Sequence, residues 1–144
     1  MENKIQLHYD IDGSNLLAAG EVSSAVKKML KQLGVAPAIV RKVSISMYEA
    51  EINTVIHAGG GFADVVITPE QINVKFTDHG PGIPDVSLAM KEGYSTATQE
   101  IREMGFGAGM GLPNMKSYSD EMNIHSVVGE GTTVEIIVLI NQEG

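Results

Sequence analysis

Ten of the sixteen glycines fall between Gly59 and Gly111, while the segments on either side are poor in glycine and strongly periodic. A chain patterned this way must build its core from the flanks, and its middle must turn sharply or approach something closely. Lys4 to Asp10 sets Ile5, Leu7 and Tyr9 against Lys4, Gln6 and His8, which predicts a strand. Asp12-Gly13-Ser14 reads as a turn, with Ser14 suited to cap a helix. Leu16, Leu17, Val22, Val26, Met29, Leu30 and Leu33 then keep a helical period, and Gly34 suits the C-terminal cap. Pro37 fits the first turn of a second helix, whose apolar positions Ile39, Val40, Val43, Met47, Ala50, Ile52 and Ile56 carry it to Ala58.

After Gly59-Gly60-Gly61, the runs Phe62 to Thr68 and Ile72 to Thr77 predict a hairpin around Pro69-Glu70-Gln71. A glycine–proline loop follows at residues 78–84, then a short helix over Asp85 to Lys91 and a loop over Glu92 to Gly107. A helix is expected from near Gly111 through Met115 and Tyr118, and a closing hairpin from Met122 to Val128 and Thr132 to Ile140. The pattern predicts one α+β domain over residues 1–144, a two-layer sandwich with a mainly antiparallel sheet and helices on one face.

Composition narrows the function. The 144 residues include 18 acidic and 10 basic ones, a net charge of −8, with no cysteine. The acid excess argues against a nucleic-acid surface, which needs clustered Lys and Arg. Without cysteine there is no disulfide, thiolate metal site or thiol nucleophile. No apolar run reaches membrane length and the first residues carry no apolar signal region, so a soluble, cytoplasmic protein without a membrane partner is expected.

Three groups of residues carry candidate chemistry. Glu49, Asn53 and His57 lie four apart on the second helix and therefore share one face. A solvated stripe is the ordinary explanation for such a triplet. A mid-helix Asn nonetheless needs a reason, and a carboxylate one turn from an amide suits a base beside a magnesium ligand. Asp78-x-Gly80-x-Gly82 follows a strand; it is either an Asp-initiated turn or a rigid loop presenting Asp78 to an amino group. Gly105-Phe-Gly107-Ala108-Gly109-Met110-Gly111-Leu112 is either a hinge or an anion cradle at a helix start. It matches neither the dinucleotide fingerprint nor the P-loop, because Met110 and Leu112 stand where the third glycine would be and no lysine follows. Ser95 and Thr96 are solvated loop residues or phosphate contacts, and Arg102 a surface ion pair or a terminal-phosphate contact.

Taken in order, these boxes resemble the GHKL superfamily of ATPases and kinases. Glu49-Ala-Glu-Ile-Asn53 resembles the N-box, Asp78-His-Gly80-Pro-Gly82-Ile83 the first glycine box, Gly107-Ala-Gly109-Met-Gly111-Leu112 the second, and Gly131-Thr132 the late Gly-Thr element. The likeness spans about Arg41 to Leu139 and implies the Bergerat fold. Within the superfamily, Asp78 to Asp85, Glu92-Gly-Tyr-Ser-Thr96, Gly-Leu-Pro-Asn-Met-Lys116 and Gly129-Glu-Gly-Thr-Thr133 are most similar to the small serine kinases that regulate sigma factors. The resemblance implies ATP or ADP with Mg²⁺, Asn53 as the metal ligand and Glu49 as the base for a serine hydroxyl. It implies Asp78 and Thr132 at adenine, with Gly80 and Gly82 leaving room for the base and Ile83 also in the nucleotide site. Ser95, Thr96 and Arg102 would lie in an ATP lid, and residues 107–112 around the phosphates. The implied substrate is a small STAS-like switch protein, with a sigma factor or other regulator as a further partner and a homodimer as the common assembly. Two alternatives follow from the same resemblance: a nucleotide-dependent module that sequesters a regulator without catalysis, and a detached histidine-kinase catalytic domain. Leu17-Ala-Ala-Gly20-Glu21-Val22 lacks the arginine that such kinases commonly carry there against their partners.

Overall fold

A computed structural model describes residues 4–14, 19–83, 86, 90 and 111–140. In chain order the described elements are β1 (Ile5–Asp12), α1 (Glu21–Gln32), α2 (Pro37–Ala58), β2 (Gly60–Ile67), β3 (Gln71–Asp78), α3 (Gly111–Ser117), β4 (Glu121–Val127) and β5 (Gly131–Leu139). The strands form one antiparallel sheet in the order β1-β2-β3-β5-β4. The two hairpins read from the sequence are present, and the last strand inserts between β3 and β4.

Alternation along the strands decides which face is covered. Ala63, Val65 and Ile67 of β2, Ile72, Val74 and Phe76 of β3, and Val134, Ile136 and Val138 of β5 are buried. They pack with Val43, Met47 and Ala50 of α2 and Met115 of α3 into one core. The opposite face carries polar side chains; Glu135 there accepts bonds from the Asn73 and Asn123 amides at 3.0 and 3.1 Å. Helix α2 lies over the sheet with α1 and α3 against it, so buried residues occur on most of its sides. Its ends follow local rules: Pro37 sits in the first turn, and Gly59 closes it in the left-handed conformation at φ 72°.

The first helix departs from expectation. Ser14 does not cap it; its N–H instead donates to the Asp12 carboxylate at 2.8 Å, closing a turn. Helix α1 begins at Glu21, after Gly20, with no side-chain cap of its own. The cap comes from α2. Glu51, 2% exposed, accepts the N–H groups of Gly20 (2.8 Å), Val22 (3.1 Å) and Ser23 (2.9 Å). A carboxylate at a helix N-terminus meets both the orphan N–H groups and the positive end of the dipole. Of the short helix expected over Asp85 to Lys91, Val86 and Met90 alone are described, and the Met90 N–H donates to the Val86 carbonyl at 3.0 Å. No described helix is long and apolar enough to cross a membrane.

Candidate functional site

Asp78 is the last residue of β3 and pairs in register with Thr132 of β5, which pairs in turn with Ser126 of β4. The three side chains stand on the helix-bearing face at one end of the sheet. Asp78 Oδ1 accepts two backbone bonds, from Gly80 N–H at 2.9 Å and from Thr132 N–H at 3.2 Å. Both bonds among the described residues fall on Oδ1, so the carboxylate is held in one orientation while Oδ2 remains an acceptor for a donor outside it.

The glycines around Asp78 are required by close approach. A Cβ at Gly80 would lie 2.7 Å from the Ala58 Cβ, so the last turn of α2 seats directly on this residue. A Cβ at Gly82 would lie 2.6 Å from the Val127 carbonyl oxygen, and φ there is +81°. The Gly129 N–H donates to the Pro81 carbonyl at 2.9 Å, a second tie to the β4–β5 turn. At Gly131, φ is +138° and a Cβ would fall 2.1 Å from the Asp78 carbonyl oxygen. The absent Cβ atoms of Gly80 and Gly82 thus make room for protein, and any space for a planar ligand is bounded by backbone beside them. Segment 79–83 is gripped between the end of α2 and the β4–β5 turn.

Helix α2 carries Glu49, Asn53 and His57 one turn apart, all half-buried. Burial pushes the Glu49 carboxyl up from the ordinary glutamate value, while a hydrogen bond with Asn114 of α3 opposes the shift. Burial also lowers His57 below the usual histidine range, favouring the neutral ring. A half-desolvated carboxylate with a raised pKa is a better proton acceptor than an exposed one. The Asn53 amide offers a neutral oxygen, and among the described residues no cluster of three His, Cys, Asp or Glu side chains could hold a metal. That donor set fits Mg²⁺, which takes one or two protein oxygens and completes its shell with phosphates and water.

The structure therefore brings Asp78, Gly80, Gly82, Ile83 and Thr132 together. It ties them to the helix bearing Glu49 and Asn53 through the contact between Ala58 and Gly80. Gly111 and Leu112 open α3, and Leu112 is buried in the core. Ser95, Thr96, Arg102, Gly107, Ala108, Gly109 and Met110 lie outside the described residues. Two contributors carry no local signal as site residues. Ser126 occupies an ordinary inward-facing strand position, and Asn114 is legible only within Gly-Leu-Pro-Asn-Met-Lys.

Comparison with known proteins places the chain in a family. The model of the histidine kinase-like ATPase domain matches residues 14–138. The serine/threonine-protein kinase RsbT of Bacillus subtilis is 30% identical over 115 residues, covering 77% of this chain and 80% of its own. The anti-sigma F factor of Anoxybacillus flavithermus is 36% identical over 95 residues, 62% of each chain. Among solved structures, a Mycobacterium tuberculosis chain with RsbU and RsbW domains superposes with a TM-score of 0.64 at 16% identity, covering 96% of this chain and 33% of its own. The mycobacterial sensor histidine kinase MprB gives 0.54 at 15% identity, covering 94% and 97%. The two structural likenesses are likenesses of fold.

Proposed function

The chain belongs to the histidine kinase-like ATPase domain family, and on that premise we propose that it is a Mg-ATP-dependent serine/threonine protein kinase acting on a small switch protein of the STAS-like class. The observation that supports this reading is that the helix carrying a half-buried carboxylate ends against the loop that orients Asp78. Helix α2 holds the half-buried Glu49 with Asn53 one turn on, and its last residue seats against Gly80, which is bonded to Asp78.

On this reading, Asp78 accepts the amino group of adenine, and Thr132 supplies a second contact to the base. Asn53 holds Mg²⁺ through its amide oxygen, and the ion neutralises charge on the phosphates when bound. Glu49 accepts the proton of the substrate serine hydroxyl. The hydroxyl oxygen bonds to the γ-phosphorus as the bond to the β–γ bridging oxygen breaks, and ADP leaves. Such a transfer depends on positioning and charge neutralisation more than on covalent help from the protein. The net charge of −8 is compatible with a polyanionic substrate, because metal and backbone N–H groups supply the local positive field.

The test is phosphotransfer from Mg-ATP to a purified STAS-like switch protein from the same genome. An acid-stable phosphoserine that disappears with Glu49→Ala is expected. No transfer, or transfer unaffected by that substitution, defeats the kinase reading; an acid-labile product points to a phosphohistidine instead. A second reading, nucleotide-dependent sequestration of a sigma factor, is favoured by the anti-sigma F factor among the relatives. It predicts sigma-factor capture that depends on nucleotide and is indifferent to Glu49→Ala.

A further inference from the structure

The Ser126 hydroxyl lies where three parts of the chain meet. It accepts the Ile83 N–H at 2.7 Å, lies 2.8 Å from Thr132 Oγ1, and is within donating distance, 3.3 Å, of the Gly131 carbonyl. An N–H can only donate, so the Ile83 bond occupies one Ser126 lone pair. The single Ser126 proton then has two acceptors. If Thr132 donates to Ser126, Ser126 donates to Gly131 and Thr132 presents lone pairs to a ligand. If Ser126 donates to Thr132, the Thr132 proton turns outward. Both arrangements keep the 2.8 Å bond, so Thr132 Oγ1 stays in one place whichever polarity a ligand demands.

We propose that Ser126 is a positioning residue for the base edge of the nucleotide, acting through the Thr132 hydroxyl beside Asp78. This rests on the reading of Asp78 as the acceptor for the base amino group. The geometry separates the role from simple packing. Segment 79–83 is already seated on the β4–β5 turn by the Gly82 contact with Val127 and by the bond from the Gly129 N–H to the Pro81 carbonyl. Thr132 is 8% exposed, and Ser126 is the side chain that its hydroxyl bonds among the described residues. Asp78 is fixed by backbone N–H groups, so the Thr132 hydroxyl is the element of the pair that depends on a neighbour for its direction.

The experiment is calorimetric titration of the full chain with ADP and with IDP, whose 6-oxo group replaces the adenine amino group. Ser126→Ala is expected to weaken ADP roughly three- to tenfold, the worth of one neutral hydrogen bond. The preference for ADP over IDP should fall by a similar factor. Ser126→Thr, which keeps the hydroxyl, is expected to restore both. In a Thr132→Val background, Ser126→Ala should add little, because the group it acts through is gone. Equal losses for ADP and IDP, an unchanged ADP affinity, or a full effect in the Thr132→Val background each overturn the role. If Asp78→Asn leaves ADP binding intact, the adenine reading itself fails. If Asp78→Asn removes binding and Ser126→Ala changes nothing, only the role of Ser126 falls.

Discussion

Removing the Glu51 carboxylate tests how α1 is held. Its three acceptor bonds serve N–H groups at the start of a helix that has no cap of its own, and Val22 and Ser23 are themselves buried. Bonds to a charged acceptor contribute ~1.5–3 kcal/mol each when deleted singly, but the three share one carboxylate and do not sum. Leaving a buried N–H unsatisfied costs about 1–3 kcal/mol, and two of the three donors belong to buried residues, so about 2–5 kcal/mol is the expectation for Glu51→Ala. Glu51→Gln should cost less, about 2 kcal/mol, because one acceptor oxygen survives while an amide NH₂ meets an N–H. Glu51→Met is the sharper control. It fills the volume without an acceptor, so it should be nearly as damaging as alanine if the orphaned N–H groups dominate. Urea unfolding followed by far-UV circular dichroism reads all three, since the chain has no tryptophan. A loss below ~1 kcal/mol for Glu51→Ala, or wild-type stability for Glu51→Met, would refute the capping account.

Two further outcomes follow from the site. Burial raises the Glu49 carboxyl above its ordinary value of 4.5, and the protonated form cannot act as a base. The rate of phosphotransfer should therefore fall on the acid side at a pH above the usual glutamate range, and Asn114→Ala should move that limb higher still. A limb at the ordinary value, or one that moves down in the variant, counts against the assignment. Gly131→Ala should destabilise the chain by more than ~2 kcal/mol through backbone strain and collision, because its Cβ meets the Asp78 carbonyl oxygen at 2.1 Å. Gly129→Ala, at φ +83° with nothing within 4 Å, should cost only ~1 kcal/mol; equal Tm losses would show that the collision is relieved.

What was legible in the sequence was local. Alternation and helical period gave β1, α2 and both hairpins, because each pattern repeats within one element, and Pro37 and Gly59 marked the ends of α2. The start of α1 was misread because Ser14 has the chemistry of a cap, whereas the group that caps α1 lies about thirty residues away on another helix. The insertion of β5 between β3 and β4 likewise has no local signature. In the site, Glu49, Asn53 and Asp78 stood out by residue type and spacing. Ser126 and Asn114 did not, since each gains its importance from what lies opposite. The same holds for Gly80 and Gly82: their rarity as side-chain-free positions was visible, but the Ala58 and Val127 surfaces that require it were not.

The pairing of β3 with β5 has a kinetic consequence. Asp78 and Thr132 are 54 residues apart, yet their strands are adjacent in the sheet. The site therefore cannot assemble within either hairpin alone; it appears only when a long excursion of chain has closed, a step whose entropic cost precedes its reward. A ligand bridging that seam draws on the cooperativity of the whole sheet. Its binding energy would be felt as resistance to global unfolding, and a nucleotide bound as proposed would act as a clasp between the two ends of the fold.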